Sequence, residues 1–172
     1  MSEPDGVAEL EIRVARPEEY DTAGKITVAA YRAAQAIADD ESYAPVLRAA
    51  ARRAVEAELL VAVDDTGEVV GTVTLAPAGT EWAEIARDGE LEVRMLAVEP
   101  AAWGRGIARA IMNRVVDVAR ERGFAQIVLL VIEDNAAAHR LYETAGFHRV
   151  SERDWRPWPE LLLMAYELPL TR

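Results

Sequence analysis

Residues 91–109, Leu-Glu-Val-Arg-Met-Leu-Ala-Val-Glu-Pro-Ala-Ala-Trp-Gly-Arg-Gly-Ile-Ala-Arg, constrain what this chain can fold into more than any other stretch. The run 93–98, apolar but for Arg94, reads as a strand, and Pro100 ends it. Gly104-Arg105-Gly106 then opens a stretch of helical period carrying Ile107, Ile111, Met112, Val115, Val116, Val118 and Ala119. A strand, a short turn and a glycine-led helix start make an anion site. The first helical N–H groups have no intrahelical acceptor, and the helix dipole places partial positive charge there. Gly104 and Gly106 let the backbone approach a bulky anion closely, and Ala108 keeps the surface small. Arg105 and Arg109 add charge. The pattern points to a phosphate-bearing ligand.

At 172 residues the chain has the size of one domain, with a loose tail expected over residues 1–9 and a single domain over 10–172. Without cysteine it has no disulfide framework, thiolate nucleophile or cysteine metal site. The apolar stretches are short of a membrane span, and the acidic start Met1-Ser-Glu-Pro-Asp-Gly shows no secretory signal. The expectation is a cytoplasmic protein with no membrane partner. A net charge of −11 argues against nucleic acid as a partner. That charge is uneven. Residues 1–100 hold 9 basic and 21 acidic side chains, a net of −12, whereas 101–172 hold 10 and 9, a net of +1. The half with the phosphate-binding pattern is spared the acidic excess, although acidic surfaces also serve solubility.

In chain order, Leu10, Ile12 and Val14 alternate as a first strand, and Pro17 with Glu18, Glu19 and Asp21 suits a helix start running to about Gln35. Residues 39–43 read as a loop, and Pro45 starts a second helix to about Ala57. Residues 59–63 and 69–75 form a hairpin across Asp64-Asp-Thr-Gly67. Residues 77–89 are a long connection with room for one helical turn. Gly123 ends the helix after the central strand, and 127–132 read as a strand covered on both faces. Asp134 or Asn135 caps the next helix, and Gly146 ends it. Residues 147–151 and 161–168 are the last strands, and 154–160 are too proline-rich for regular structure.

Chemistry is narrowed by elimination. Ser2, Ser42 and Ser151 are the only serines, and none sits in a nucleophile elbow. His139 and His148 are the only histidines, with no metal-ligand set around them. The glycine turn lacks the Lys-Ser/Thr of a nucleotide P-loop and the third glycine of a dinucleotide fingerprint. Phosphate binding without nucleophile or metal suits transfer from an already activated donor.

Two blocks carry a family resemblance. The turn resembles the acetyl-CoA motif of the GNAT acetyltransferase superfamily, Gln/Arg-x-x-Gly-x-Gly/Ala. Gly106-Ile107-Ala108 fills the last three places, and Trp103 stands where Gln or Arg is usual. Residues 135–147, Asn-Ala-Ala-Ala-His-Arg-Leu-Tyr-Glu-Thr-Ala-Gly-Phe, resemble its other signature, Asn-x-x-Ala-x-x-Leu/Phe-Tyr-x-x-x-Gly-Phe, at each stated position. The likeness extends over roughly residues 10 to 168. It implies a mixed α/β (α+β) fold, with a central, mostly antiparallel sheet of about seven strands and about four helices. It also implies acetyl-CoA as cosubstrate and an N-acetyltransferase acting on a small-molecule or peptide amine.

Site roles follow from the resemblance. The pantetheine arm would pair with the backbone of Leu96, Ala97 and Val98, whose strand would also offer an N–H near Leu96 to the oxyanion. The pyrophosphate would rest on Trp103, Gly104, Arg105, Gly106, Ile107 and Ala108, beside Arg109. Asn135 would contact the arm, although a helix cap explains it equally. Tyr142 resembles the general acid that protonates the CoA thiolate, the alternative being a helix tyrosine with its ring in the core. Glu92 aligns with the general base on this strand, but Glu90 and Glu92 also alternate as solvated strand residues would. Glu99 is a further candidate base, and His139 reads as structural.

The acceptor side would draw on Asp39, Asp40, Glu41, Tyr43, Trp82, Glu84, Trp155 and Trp158, a set suited to a cationic amine. These loop residues equally suit solvation or the sealing of a core. The resemblance carries homodimer formation as a further expectation. A non-catalytic acyl-CoA sensor or regulatory module is the competing function, and a dinucleotide-dependent enzyme a third.

Overall fold

The computed structural model describes residues 9–34 and 42–170. The tail expected over 1–9 lies, apart from Glu9, outside the described residues, as do Gln35, Asp39, Asp40 and Glu41. In chain order the elements are β1 (Glu11–Val14), α1 (Tyr20–Ala33), α2 (Ala44–Arg48), α3 (Ala50–Glu56), β2 (Glu58–Val63), β3 (Val69–Pro77) and β4 (Glu90–Val98). There follow α4 (Ile107–Glu121), β5 (Gln126–Ile132), α5 (Ala136–Thr144), β6 (His148–Arg149), β7 (Trp155–Trp158) and β8 (Leu161–Pro169). Short 3-10 turns occupy Pro17–Glu19, Pro100–Ala102 and Ser151–Arg153. The fold is mixed α/β, with eight strands and five α-helices among the described residues, against the seven and four expected.

The chain divides into two compact units: Met1–Thr74 with Met95–Ile111, and Leu75–Arg94 with Met112–Arg172. In the first, β1 runs antiparallel to β2, in register from Glu11↔Val63 to Val14↔Leu60. The hairpin to β3 closes through Asp64, whose carboxylate accepts from the N–H groups of Thr66 and Glu68. The end of β4 lies beside β3, where Glu99 N–H donates to the Val70 carbonyl at 2.8 Å. Ala15, Ala23, Ala50, Leu59, Val61 and Val63 form one core cluster, and Ile26 and Ala30 of α1 pack with Ala97 of β4 in another. Gly71 on β3 is glycine for space. A Cβ there would meet the Ile111 side chain at 2.8 Å and the Ala97 carbonyl and Ile107 side chain at 3.3 Å, so its absence lets the first turn of α4 settle onto the strand.

The second helix expected from Pro45 to Ala57 is two helices, broken at Ala49 (φ −77°, ψ 51°). The buried Arg53 guanidinium donates to the Leu47 carbonyl at 2.9 Å and, at 3.1 Å, to the Val46 carbonyl, which also accepts the Ala49 N–H at 3.3 Å. An arginine one turn ahead gives no pattern signal for such a break.

In the second unit, β4 pairs with β5 in parallel from Glu90↔Gln126 to Val93↔Leu129, β5 pairs antiparallel with β8, and β6 and β7 both pair antiparallel with β8. Two expectations are corrected here. The strand expected over 147–151 shrinks to β6, because Ser151–Arg153 turns to deliver Arg153 inward. Residues 154–160, expected to be irregular, contain β7; it pairs with β8 alone across a register shift, an edge position that tolerates Pro157. The connection at 78–89 is built of turns and bends without a helical turn.

Candidate active site

The first unit carries the glycine turn. β4 holds the only non-glycine residue of positive φ among the described residues, Met95 at 53°, a conformation that costs about 1–3 kcal/mol in a bulky side chain. Leu96, Ala97 and Val98 follow it. The chain then passes through Pro100–Ala102, with Trp103 N–H donating to the Pro100 carbonyl at 3.2 Å. Gly104 and Gly106 adopt φ of 84° and 77°, and a Cβ at either would touch nothing within 4 Å. Conformation, not crowding, therefore demands glycine at both.

The first intrahelical bond of α4 runs from Ala110 N–H to the Gly106 carbonyl at 3.0 Å, which leaves the N–H groups of Ile107, Ala108 and Arg109 without intrahelical acceptors. Arg105 and Arg109 are exposed beside them. Residues 96–98 and 103–109 are thus brought together in one unit. Trp103 is 48% exposed, yet its indole N–H donates to the Val98 carbonyl at 2.8 Å.

The second unit carries Glu92, Asn135 and Tyr142. Glu92 is fully buried, so it is not a solvated strand residue, and neither is Glu90 at 5% exposure. Its Oε1 accepts three backbone N–H groups, from Glu84, Ile85 and Ala86, at 2.9, 2.7 and 2.9 Å. Its Oε2 has no hydrogen-bond partner among the described residues and lies 4.0 Å from Arg94 Nε. Burial pushes the Glu92 carboxyl above its ordinary range, against the opposing pull of those N–H groups and of Arg94.

Arg94 also donates to the Trp82 carbonyl at 2.7 Å and pairs with Glu84 at 3.0 Å. Burial raises the Glu84 carboxyl too, with Arg94 pulling it down and Glu92 adding to the rise. Glu90 completes the row, accepting from Arg87 N–H at 2.7 Å, from Gln126 and from Arg153 at 2.8 and 2.9 Å. Arg153 reaches Glu167 at 2.7 Å and the Ile85 carbonyl at 2.6 Å as well. Burial alone would raise Glu90, but Arg153, the Arg87 N–H and Gln126 together hold it below the ordinary range.

Sequence reading missed this clasp. Residues 90, 92 and 94 share one face of a strand, and that spacing of two is the signal that could have found them. It does not say which loop they would hold.

On α5, Asn135 Oδ1 accepts from Ala138 N–H at 3.1 Å, an N-cap. Tyr142 is 7% exposed, its ring against Phe147 and Tyr166 at centroid distances of 5.6 and 6.5 Å. His139 Nε2 faces the Ile132 and Glu133 carbonyls at 3.2 and 3.0 Å, so that nitrogen carries the hydrogen, and Nδ1 lies 2.6 Å from the Tyr166 hydroxyl. Of the acceptor candidates, Trp82 and Glu84 join the clasp, Trp155 and Trp158 are 40% and 52% exposed on β7, and Tyr43 is partly buried in the first unit. Glu99 lies past the end of β4, its N–H committed to β3.

The profile of the acetyltransferase (GNAT) family matches residues 25–147. Mycothiol acetyltransferase of Beutenbergia cavernae is 40% identical over 70 residues, 41% of this chain and 24% of its own length. The match thus spans about a quarter of the length of the mycothiol acetyltransferases. Among solved structures, a GNAT family acetyltransferase of Brucella melitensis in complex with acetyl-CoA superposes with a TM-score of 0.64 at 23% identity, over 96% of this chain and 90% of that one. The ribosomal-protein-S18-alanine N-acetyltransferase of Escherichia coli gives 0.66 at 18% identity, over 95% and 96%. No described helix is long and apolar enough to cross a membrane.

Proposed function

The chain belongs to the acetyltransferase (GNAT) family, and from that premise we propose that it transfers an acetyl group from acetyl-CoA to a primary amine. The observation that carries this reading is the turn before α4. Two left-handed glycines, three helix-start N–H groups without intrahelical acceptors and two exposed arginines fit a diphosphate without a metal ion. Acetyl-CoA supplies an acyl group already activated as a thioester.

The chain's own residues then have separate tasks. Gly104 to Ala108 bind the diphosphate through backbone N–H groups, with Arg105 and Arg109 adding charge. Leu96 to Val98 offer strand backbone to the pantetheine amides, and an N–H near Leu96 meets charge developing on the acyl oxygen. Glu92 takes the acceptor's proton at Oε2, directly or through water. An ordinary ammonium of pKa about 10.4 costs roughly 4 to 5 kcal/mol to deprotonate at pH 7, so a base is needed. A carboxylate held by N–H groups on one oxygen and unpartnered on the other, its affinity for a proton raised by burial, suits that task. Tyr142 holds the proton that the departing thiolate takes, and Asn135 supports the arm beside its helix.

The acceptor is a cationic amine on a small molecule or a peptide. The carboxylates Glu84 and Glu92 support that charge preference, and the names of the relatives span both classes. A non-catalytic acyl-CoA sensor is favoured by one observation, the unusual Trp103 on the turn. A thermal-shift panel of acetyl-CoA, CoA, NAD and ATP, followed by thiol release over an amine library, tests the proposal. Stabilisation by the two CoA species with amine-dependent thiol release is expected. Stabilisation by NAD without CoA would overturn the whole reading, and CoA binding with no transfer to any amine would leave the sensor.

A further inference from the structure

We propose that Trp103 sets the affinity for the acyl carrier by occupying, with its indole N–H, the carbonyl at the end of β4 that a carrier amide would otherwise take. The inference rests on the preceding reading, that the pantetheine arm pairs with residues 96–98.

The orientation of that carbonyl follows from one hydrogen bond. Glu99 N–H donates to Val70 on β3 at 2.8 Å. The Val98 carbonyl belongs to the same peptide unit, and in a trans peptide the C=O points opposite to the N–H. It therefore faces away from β3. A strand edge with outward carbonyls accepts an extended ligand's amides as it would another strand. Trp103 Nε1 takes this carbonyl at 2.8 Å, a full-strength bond.

Indole has one donor and no acceptor, so this contact is all the hydrogen bonding the side chain can offer. The contact is not forced by burial, because nearly half of the residue remains in water. The backbone at Trp103 is separately fixed, by its N–H on the Pro100 carbonyl and by ordinary extended angles of φ −62° and ψ 150°. The ring can therefore leave Val98 by side-chain rotation alone, with the turn unchanged. A glutamine or arginine, usual at this position, has a longer and more flexible reach and no rigid ring held against the strand. Trp103 makes the last carbonyl of β4 a contested site.

The test compares wild type with Trp103→Phe, which keeps a ring and removes the donor, and Trp103→Ala, which removes both. Acetyl-CoA is titrated by calorimetry, and ligand-free melting is followed to show that the variants fold. Freeing the carbonyl is expected to tighten acetyl-CoA binding about three- to tenfold in both variants, the range of one net hydrogen bond. The wild-type emission that Trp103→Phe lacks, measured against the other three tryptophans, is expected to shift on adding acetyl-CoA as the indole leaves its acceptor. If wild type binds acetyl-CoA but Trp103→Phe binds no tighter, or the indole emission does not respond, this inference fails and the proposed function stands. Weaker binding by Trp103→Phe would make the indole a direct contact and overturn it equally. If none of the three proteins binds acetyl-CoA, the proposed function fails with it.

Discussion

Gly104 and Gly106 leave the first N–H groups of α4 without intrahelical acceptors, whereas Glu92 gathers three backbone N–H groups onto a single buried oxygen. The two regions use the same donors to opposite ends. In the turn, the first helical N–H groups have no intrahelical acceptor, and residues 100–109 include no acidic side chain. In the clasp, the anion belongs to the chain, and its binding capacity is spent on fixing the loop at 84–86. What differs is the second oxygen. Glu92 Oε2 is buried and, among the described residues, without a hydrogen-bond partner, a state that costs about 1–3 kcal/mol. The turn thus has the build of the anion site proposed above, whereas the clasp holds one carboxylate buried with one oxygen satisfied and the other not.

The sharpest break of that contrast is Glu92→Gln. The amide oxygen can still accept from residues 84–86, so the loop should hold and the melting temperature should change little. The proposed base is lost, and kcat should fall by about 10²–10⁴-fold with the KM for acetyl-CoA nearly unchanged. Turnover within a few-fold of wild type would remove Glu92 from the reaction and leave it a loop fastener. Arg153→Met comes next. It strips a buried guanidinium from Glu90 and Glu167, leaving Glu90 charged and buried. Such a loss costs about 3–5 kcal/mol. For a chain of this length that lowers the melting temperature by roughly 6–20 °C in a calorimetric scan. A shift of a degree or two would mean that the network contributes little.

The same contrast governs how much was legible in the sequence. The turn could be read because glycine at 104 and 106, a proline before them and helical periodicity after them each have a local cause, and the structure places the turn and helix start where those causes predict. The strands at 127–132 and 161–168 followed from apolar runs for the same reason. The clasp could not be read, because its bonds join residues whose spacing depends on how the loop at 78–89 folds back. Glu90 and Glu92 look like a solvated alternation until the loop and Arg153 cover them. Nothing in a methionine announces the left-handed backbone at residue 95, and a tryptophan at 103 does not say that its N–H will seek Val98. β7 was hidden for the opposite reason. Pro157 argues against a strand, and the edge position makes it harmless.

On the turn side, Gly106→Val tests whether its conformation or merely its space matters. A Cβ at 106 has room, but a β-branched residue at φ 77° is strained by about 1–3 kcal/mol. The backbone should relax out of the left-handed region and misdirect the N–H groups of α4, weakening acetyl-CoA roughly tenfold or more by calorimetry. Turnover at saturating acetyl-CoA should be affected less than affinity. An unchanged Kd would mean the glycine serves folding alone.

The smallest expected effect is a pH dependence, and it separates the carboxylates of the clasp by sign. Glu92 and Glu84 are raised from the ordinary 4.5, chiefly by burial. Between 4.5 and the raised value the folded protein holds more protons than the unfolded chain, so stability falls as pH rises through that window. Glu90 is lowered, burial being outweighed by Arg153, the Arg87 N–H and Gln126. Its contribution is complete above the ordinary carboxylate value and is lost as pH falls through its folded value. Each group can contribute a slope of at most about 1.4 kcal/mol per pH unit within its window. Urea midpoints of wild type and Glu92→Gln between pH 4 and 8 isolate the first effect. Wild type should lose stability relative to the variant as pH rises above about 4.5, and the acid limb of wild-type kcat/KM should lie above the ordinary carboxylate range, where Glu92 sheds its proton. Parallel stability curves, with an acid limb near 4.5, would show that burial does not hold the Glu92 proton, and the distinction between a site open to anions and a carboxylate kept under strain would lose its second half.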